Sequence, residues 1–163
     1  MEGNRKAFLD MIADSELGQA LLAVSDNGYN VLAGSTAEKP ILFESYADHP
    51  HRVIKIERKN LPPEYSSAAG RYQIMGKIFD AYKKILNLQP PYFSPPNQNM
   101  ITLQLIKECH ALGAIDKGDI ITAITECEHR WASFPGAGYK DQHENKMEQL
   151  IAAFQKAGGI LIS

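Results

Sequence analysis

A chain of 163 residues, 44% apolar and 22% charged, has the length and composition of one ordinary globular domain, which excludes a disordered tail or a coiled coil. The net charge of −2 is spread over mixed acidic and basic residues with no basic block, so the footprint of a nucleic-acid binder is missing. No apolar run is long enough to span a bilayer, and the first residues lack the apolar core and cleavage site of a secretory signal. A protein made and held in the cytoplasm, without membrane insertion, is therefore expected.

Phe8, Leu9 and Ile12 share a face at helical spacing, with Met11 beside them, and predict a first helix from about Asn4 to Asp14 with Asn4 as its cap. Ser15 and Glu16 then fall near the helix end. Asp26-Asn27-Gly28 signals a turn. Short β-favouring runs follow at Tyr29–Leu32, Ile41–Phe43 and Arg52–Ile56, and predict a small antiparallel sheet. Leu61-Pro62-Pro63 and Ser66-Ser67 read as a loop. From Gly70 onward the pattern is helical, with Ile74, Ile78, Ala81, Tyr82 and Ile85 as a stripe. Ser94-Pro95 caps the next helix, which carries Met100, Leu103, Ile106 and Cys109 inward and runs to Gly113. Asp116 starts another, with Ile120, Ile121, Ile124 and Cys127 inward. Trp131 lies on a short segment that stops at Pro135. Asp141 and Glu144 have capping-box spacing before a last helix with Met147, Leu150, Ile151 and Phe154 inside, closed by Gly158-Gly159.

This order predicts an α+β fold in a single domain over 1–163: a helical bundle with a small β region at about 28–66. A ligand cleft is expected where the two meet, with Glu16 at one junction and Gly70–Gln73 at the other.

Several chemistries have no matching pattern. There is no phosphate-cradling glycine loop, no dinucleotide fingerprint and no Gly-x-Ser-x-Gly elbow. His49 and His51 flank Pro50 without a third ligand nearby, so no metal and no cofactor are expected. Cys109 and Cys127 form no Cys-x-x-Cys pair and read as reduced thiols packed in helices. Among the 19 acidic residues Glu16 differs, because it ends an amphipathic helix and precedes Leu17, Leu21 and Leu22. A carboxyl against an apolar wall loses solvation when ionised, and its raised proton affinity suits a general acid. Periodicity alone favours an ordinary residue at a helix end. Gly70-Arg71-Tyr72-Gln73 reads structurally as a helix start with Arg71 and Gln73 on the surface. Functionally it sets a phenol and a carboxamide together, the groups that bind sugars. Pro135-Gly136-Ala137-Gly138-Tyr139 gives a tight loop with little side chain, on which a polymer can lie close.

Together these segments carry a resemblance. Ser15-Glu16, Ala69-Gly70-Arg71-Tyr72-Gln73 and Trp131-Ala132-Ser133 with Pro135-Gly136-Ala137-Gly138-Tyr139 are similar to the endolysins of the bacteriophage lambda type. The opening Arg5–Met11, Gly28-Tyr29, Asp48-His49-Pro50, Gly118-Asp119-Ile120 and Ala157-Gly158-Gly159 fit in order, so the resemblance covers nearly the whole chain. It implies a lysozyme-like fold and cleavage of peptidoglycan between N-acetylmuramic acid and N-acetylglucosamine by lytic transglycosylation. Glu16 inherits the catalytic acid role. Ser67, Gly70, Tyr72, Gln73, Gly138 and Tyr139 inherit saccharide binding. A monomer is implied, acting on glycan strands of the wall in the periplasm after release by a separate holin-type membrane protein. Asp14 and Leu17 stand where the family often has tryptophan and glycine, and Ser35–Phe43 looks longer than usual. A hydrolytic muramidase, with Asp26 or Asp48 activating water, is the alternative reading. A non-catalytic wall-binding protein on the same scaffold is another.

Overall fold

The computed structural model describes residues 3–138 and 143–163. Among them the chain forms α1 (Gly3–Leu17), α2 (Gln19–Ala23), β1 (Ile54–Arg58), β2 (Leu61–Ser66), α3 (Gly76–Ile85), α4 (Pro95–Glu108), α5 (Leu112–Lys117), α6 (Ile120–Cys127) and α7 (Met147–Lys156). The strands are confined to one stretch, as an α+β fold requires. Two compact units are formed, one by residues through Glu16 with Thr102–Ser163, the other by Leu17–Ile101.

In the first unit, α1 buries Ala7, Phe8, Leu9, Met11, Ile12 and Ala13, so it is enclosed on most sides rather than along one stripe. Burying one Phe or Leu side chain stabilises by roughly 2 kcal/mol, so this helix is a main support of its unit. Asn4 is not a cap. Its Nδ2 donates to the carbonyls of Ile115 and Ile160, and its Oδ1 accepts from the Ile160 amide. Arg5 grips Asp116 in a two-bond fork at 2.7 and 2.6 Å. The start of α1 is thereby tied to α5 and to the closing segment.

Helix α4 ends at Glu108 instead of running to Gly113, because His110 takes the left-handed conformation (φ 63°) that the glycine was expected to supply. Gly113 lies inside α5. Asp119, not Asp116, caps α6 by accepting from the Thr122 amide. Helix α6 buries Ile120, Ala123, Ile124 and Cys127, and leaves the expected core residue Ile121 58% exposed. Met100 of α4 is likewise exposed. Helix α7 buries Leu150 and Phe154, and the Gln149 side chain accepts from the Lys146 amide at its start. The expected capping box cannot be followed, since Asp141 lies outside the described residues.

In the second unit the predicted turn stands at Asp26–Gly28, with Tyr29 N donating to Asp26 O at 2.9 Å. The first two β-favouring runs after it, Tyr29–Leu32 and Ile41–Phe43, make an isolated bridge, Val31↔Leu42, rather than strands, whereas the third, Arg52–Ile56, runs into β1. The ribbon lies further on. β1 and β2 pair antiparallel with Ile54 opposite Ser66 and Arg58 opposite Leu61. The stretch expected as a loop is thus a strand. Proline is tolerated there because a two-stranded ribbon is all edge, and Pro62 and Pro63 are exposed. The Arg58 guanidinium also holds the Pro62 carbonyl with two bonds. Helix α3 begins at Gly76, six residues later than expected, and buries Gly76, Phe79 and Tyr82 while Ile85 is exposed.

His49 is buried against Phe79 and Phe93. Its Nε2 donates to Ile74 O, and its Nδ1 accepts from the His51 amide. Burial pushes its pKa below the usual value, which fits a ring used as a neutral cross-link. Cys109 and Cys127 are both buried as free thiols.

Gly118 closes α5 at φ 81°, and a Cβ there would lie 2.3 Å from Ile160 O. Gly118→Ala is expected to cost about 2 kcal/mol and to lower Tm by about 6 °C in calorimetry. An unchanged Tm would contradict the packing of the closing segment on α5.

Candidate active site

Glu16 occupies the last turn of α1. The helix continues to Leu17, so Asp14 and Glu16 project about 200° apart around its axis and do not form a carboxyl dyad along it. Oε1 of Glu16 accepts from the Ser133 hydroxyl at 2.9 Å. Ser133 Oγ in turn lies 2.7 Å from Ser15 Oγ. The Asn145 side chain donates from Nδ2 to Ser15 Oγ at 2.9 Å and to Ser15 O at 3.1 Å. The Asn145 amide also donates to Ser133 O, so both serines and the carboxyl are fixed to one segment.

Burial raises the Glu16 pKa from an ordinary 4.5 to about 7, and the Ser133 hydrogen bond offsets part of that rise. The carboxyl therefore carries a proton over much of the acidic to neutral range and can release it near neutrality, which suits a group that gives a proton and takes one back.

The loop that follows is held by Glu144. Its carboxylate accepts from the amides of Gly136 (3.0 Å) and Gly138 (3.3 Å), a role the capping-box reading did not foresee. The rings of Trp131 and Phe134, just before this loop in the chain, pack at a tilt with 5.5 Å between their centroids. Gly138 is exposed and backed by this carboxylate. Tyr139 lies outside the described residues.

In the second unit, Gly70–Gln73 is a tight turn, not a helix start. Gly70 and Gln73 have φ of 81° and 51°, and Gln73 N donates to Gly70 O. Gly70 is required, since a Cβ would meet Gln98 Oε1 at 2.2 Å. Arg71 is 5% exposed, not a surface residue. Its Nε donates to Asn27 O, its Nη1 to the Tyr72 hydroxyl, and its guanidinium lies over the rings of Tyr29 and Tyr72. Tyr72 is 2% exposed and donates to Asn99 Oδ1 at 2.6 Å. Burial pushes its phenol above the usual range, so it stays protonated. Gln73 donates from Nε2 to Gly70 O, while its Oε1 receives no hydrogen bond among the described residues. Ser67 Oγ accepts from Gly76 N and steadies the start of α3.

Ser133 and Asn145 were not singled out as functional by residue type. Ser133 was visible inside the Trp131–Ser133 motif, but Asn145 gave no signal, because its role depends on a tertiary contact with Ser15. The acids weighed as water activators are engaged elsewhere in their unit. Asp26 accepts from the Tyr46 hydroxyl, and Asp48 lies 3.4 Å from Lys83 Nζ. Among the described residues no group of three His, Cys, Asp or Glu side chains is placed to hold a metal.

The sequence model of the Endolysin family matches residues 6–161. The endolysin of Escherichia phage lambda is 44% identical over 160 residues, which covers 98% of this chain and 94% of that one. The endolysin of Escherichia phage P2 is 42% identical over 161 residues, covering 96% and 94%. Among solved structures, bacteriophage lambda lysozyme complexed with a chitohexasaccharide aligns at a TM-score of 0.86 with 43% identity, over 99% of this chain and 97% of that one. A second lysozyme structure from bacteriophage lambda aligns at 0.81 with 42% identity, over the same shares. The fold is lysozyme-like.

A carboxyl whose pKa is higher folded than unfolded stabilises the fold most at low pH. Its contribution is complete below 4.5 and is lost as pH rises through about 7. Glu16→Gln, which stays neutral, is therefore expected to gain stability over wild type on going from pH 4.5 to pH 8, by up to about 3 kcal/mol in urea unfolding. An equal difference at both pH values would show that the carboxyl is not desolvated.

Proposed function

This chain belongs to the endolysin family, and we propose that it cuts the β-1,4 bond between N-acetylmuramic acid and N-acetylglucosamine in peptidoglycan, as a lytic transglycosylase that lyses the host cell. The observation that carries the reading is Glu16, a desolvated carboxyl with pKa near 7 and one hydroxyl donor on Oε1. The chitohexasaccharide complex of the lambda lysozyme supports a glycan of N-acetylated sugars as the ligand class.

Protonated Glu16 donates to the glycosidic oxygen as the bond from the muramyl anomeric carbon breaks. Positive charge develops at that carbon. Ordinary glycosidases meet it with a second carboxylate, and here the substrate's own N-acetyl group takes that part. The ionised Glu16 then removes the proton from the muramyl C6 hydroxyl, whose oxygen bonds to the anomeric carbon. The product ends in a 1,6-anhydro ring, Glu16 is protonated again, and no water is consumed.

Saccharide-binding roles are assigned to Ser67, Gly70, Tyr72 and Gln73 of the second unit and, by the family pattern, to Gly138 and Tyr139. Gln73 Oε1 is suited to accept from a hydroxyl or N-acetyl N–H. The enzyme works as a monomer and reaches the wall in the periplasm after release by a holin-type membrane protein.

Glu16→Gln is expected to keep its circular dichroism spectrum and lose lysis of outer-membrane-stripped cells in a turbidity assay. Mass spectrometry of the released muropeptides is expected to show ends lighter by one water. Reducing ends would identify a hydrolytic muramidase instead.

A further inference from the structure

The hydrogen bonds behind Glu16 have a direction that can be read from donor chemistry. The Asn145 amide orientation is fixed by its neighbours. The atom 3.1 Å from Ser15 O must be the nitrogen, because a carbonyl can only accept. The opposite atom, Oδ1, accepts from His143 Nε2 at 3.1 Å. The second Nδ2 hydrogen therefore points at Ser15 Oγ. Each serine has one hydroxyl proton. Ser133 uses its proton on Glu16 Oε1, so the bond between the serines must be donated by Ser15. The chain runs Asn145 to Ser15 to Ser133 to Oε1.

This polarity has a consequence for the carboxyl. A proton on Oε1 would confront a hydroxyl already donating toward it, and Ser133 would have to accept instead, which leaves one hydroxyl proton of the serine pair without an acceptor. Asn145 Nδ2 has no lone pair to accept the reversed chain. The acidic proton is thus favoured on Oε2, which receives no hydrogen bond among the described residues. No buried side-chain oxygen among those residues lacks a partner, so Oε2 keeps access to solvent and to whatever replaces it.

We propose that Asn145 is a positioning residue of the reaction, which acts through Ser15 and Ser133 to hold Oε1 as a pure acceptor and reserve Oε2 of Glu16 for the transferable proton. The proposal rests on Glu16 being the acid of the reaction. Asn145 touches neither substrate nor proton. Its effect belongs in kcat rather than KM, since the directed proton matters during bond breaking and not during glycan binding.

The test is a double-mutant cycle on the full chain with purified peptidoglycan, using Asn145→Ala and Ser15→Ala singly and together. Asn145→Asp, which has the same shape without the donors, serves as a second variant at the position. Each single substitution is expected to lower kcat roughly tenfold with KM within about twofold, and the double is expected to be no worse than the stronger single. Multiplying effects would overturn the proposal, because they would mean that Asn145 does not act through Ser15. So would full kcat in a folded Asn145→Ala or Asn145→Asp protein. Glu16→Gln, assayed alongside, separates the two levels. An inactive Glu16→Gln with an undisturbed Asn145→Ala refutes the positioning role alone, whereas an active Glu16→Gln refutes the acid role beneath it.

Discussion

The Ser133 hydroxyl donates to Oε1 of Glu16 at 2.9 Å, in surroundings where the carboxyl has lost much of its hydration. Desolvation favours the protonated form and the hydroxyl favours the ionised one. Desolvation wins, but not by so much that the proton is locked in place. A carboxyl without the donor would hold its proton too tightly to release it near neutrality. A carboxyl with full hydration would have no proton to give.

That balance depends on where α1 stops and on what fixes its phase. Asn4 and Arg5 tie its first turn to Ile115, Ile160 and Asp116, and Ser15 ties its last turn to Asn145 and Ser133. Between these ends the helix is buried on most sides, so it cannot roll without exposing apolar surface. The second unit shows the same economy at Arg71. Its buried guanidinium is met by the Asn27 carbonyl, the Tyr72 hydroxyl and two aromatic faces, and this holds the Gly70–Gln73 turn in a conformation a helix could not adopt.

The sequence made the core of α1, the closing helix with its glycines and the Asp26–Gly28 turn legible, because each rests on local periodicity or turn chemistry. It misplaced features decided by tertiary context. Pro62 and Pro63 argue against a strand unless the ribbon is known to be all edge. His110 in a left-handed conformation cannot be distinguished from an ordinary helical residue, so Gly113 drew the boundary instead. Gly70 looked like a bend into a helix because its need to clear the Gln98 side chain is invisible locally. At the site, Glu16 emerged by its position beside apolar residues and by family pattern. Asn145, 130 residues away, could be found only once the fold brought it to Ser15.

The central claim is that the Glu16 carboxyl sits poised near neutrality. Its side-chain carbon can be followed by carbon-13 NMR across a pH titration of the intact protein, with Glu16→Gln used to assign the signal. A midpoint close to 7 is the predicted result, and a midpoint near the ordinary 4.5 would contradict the account.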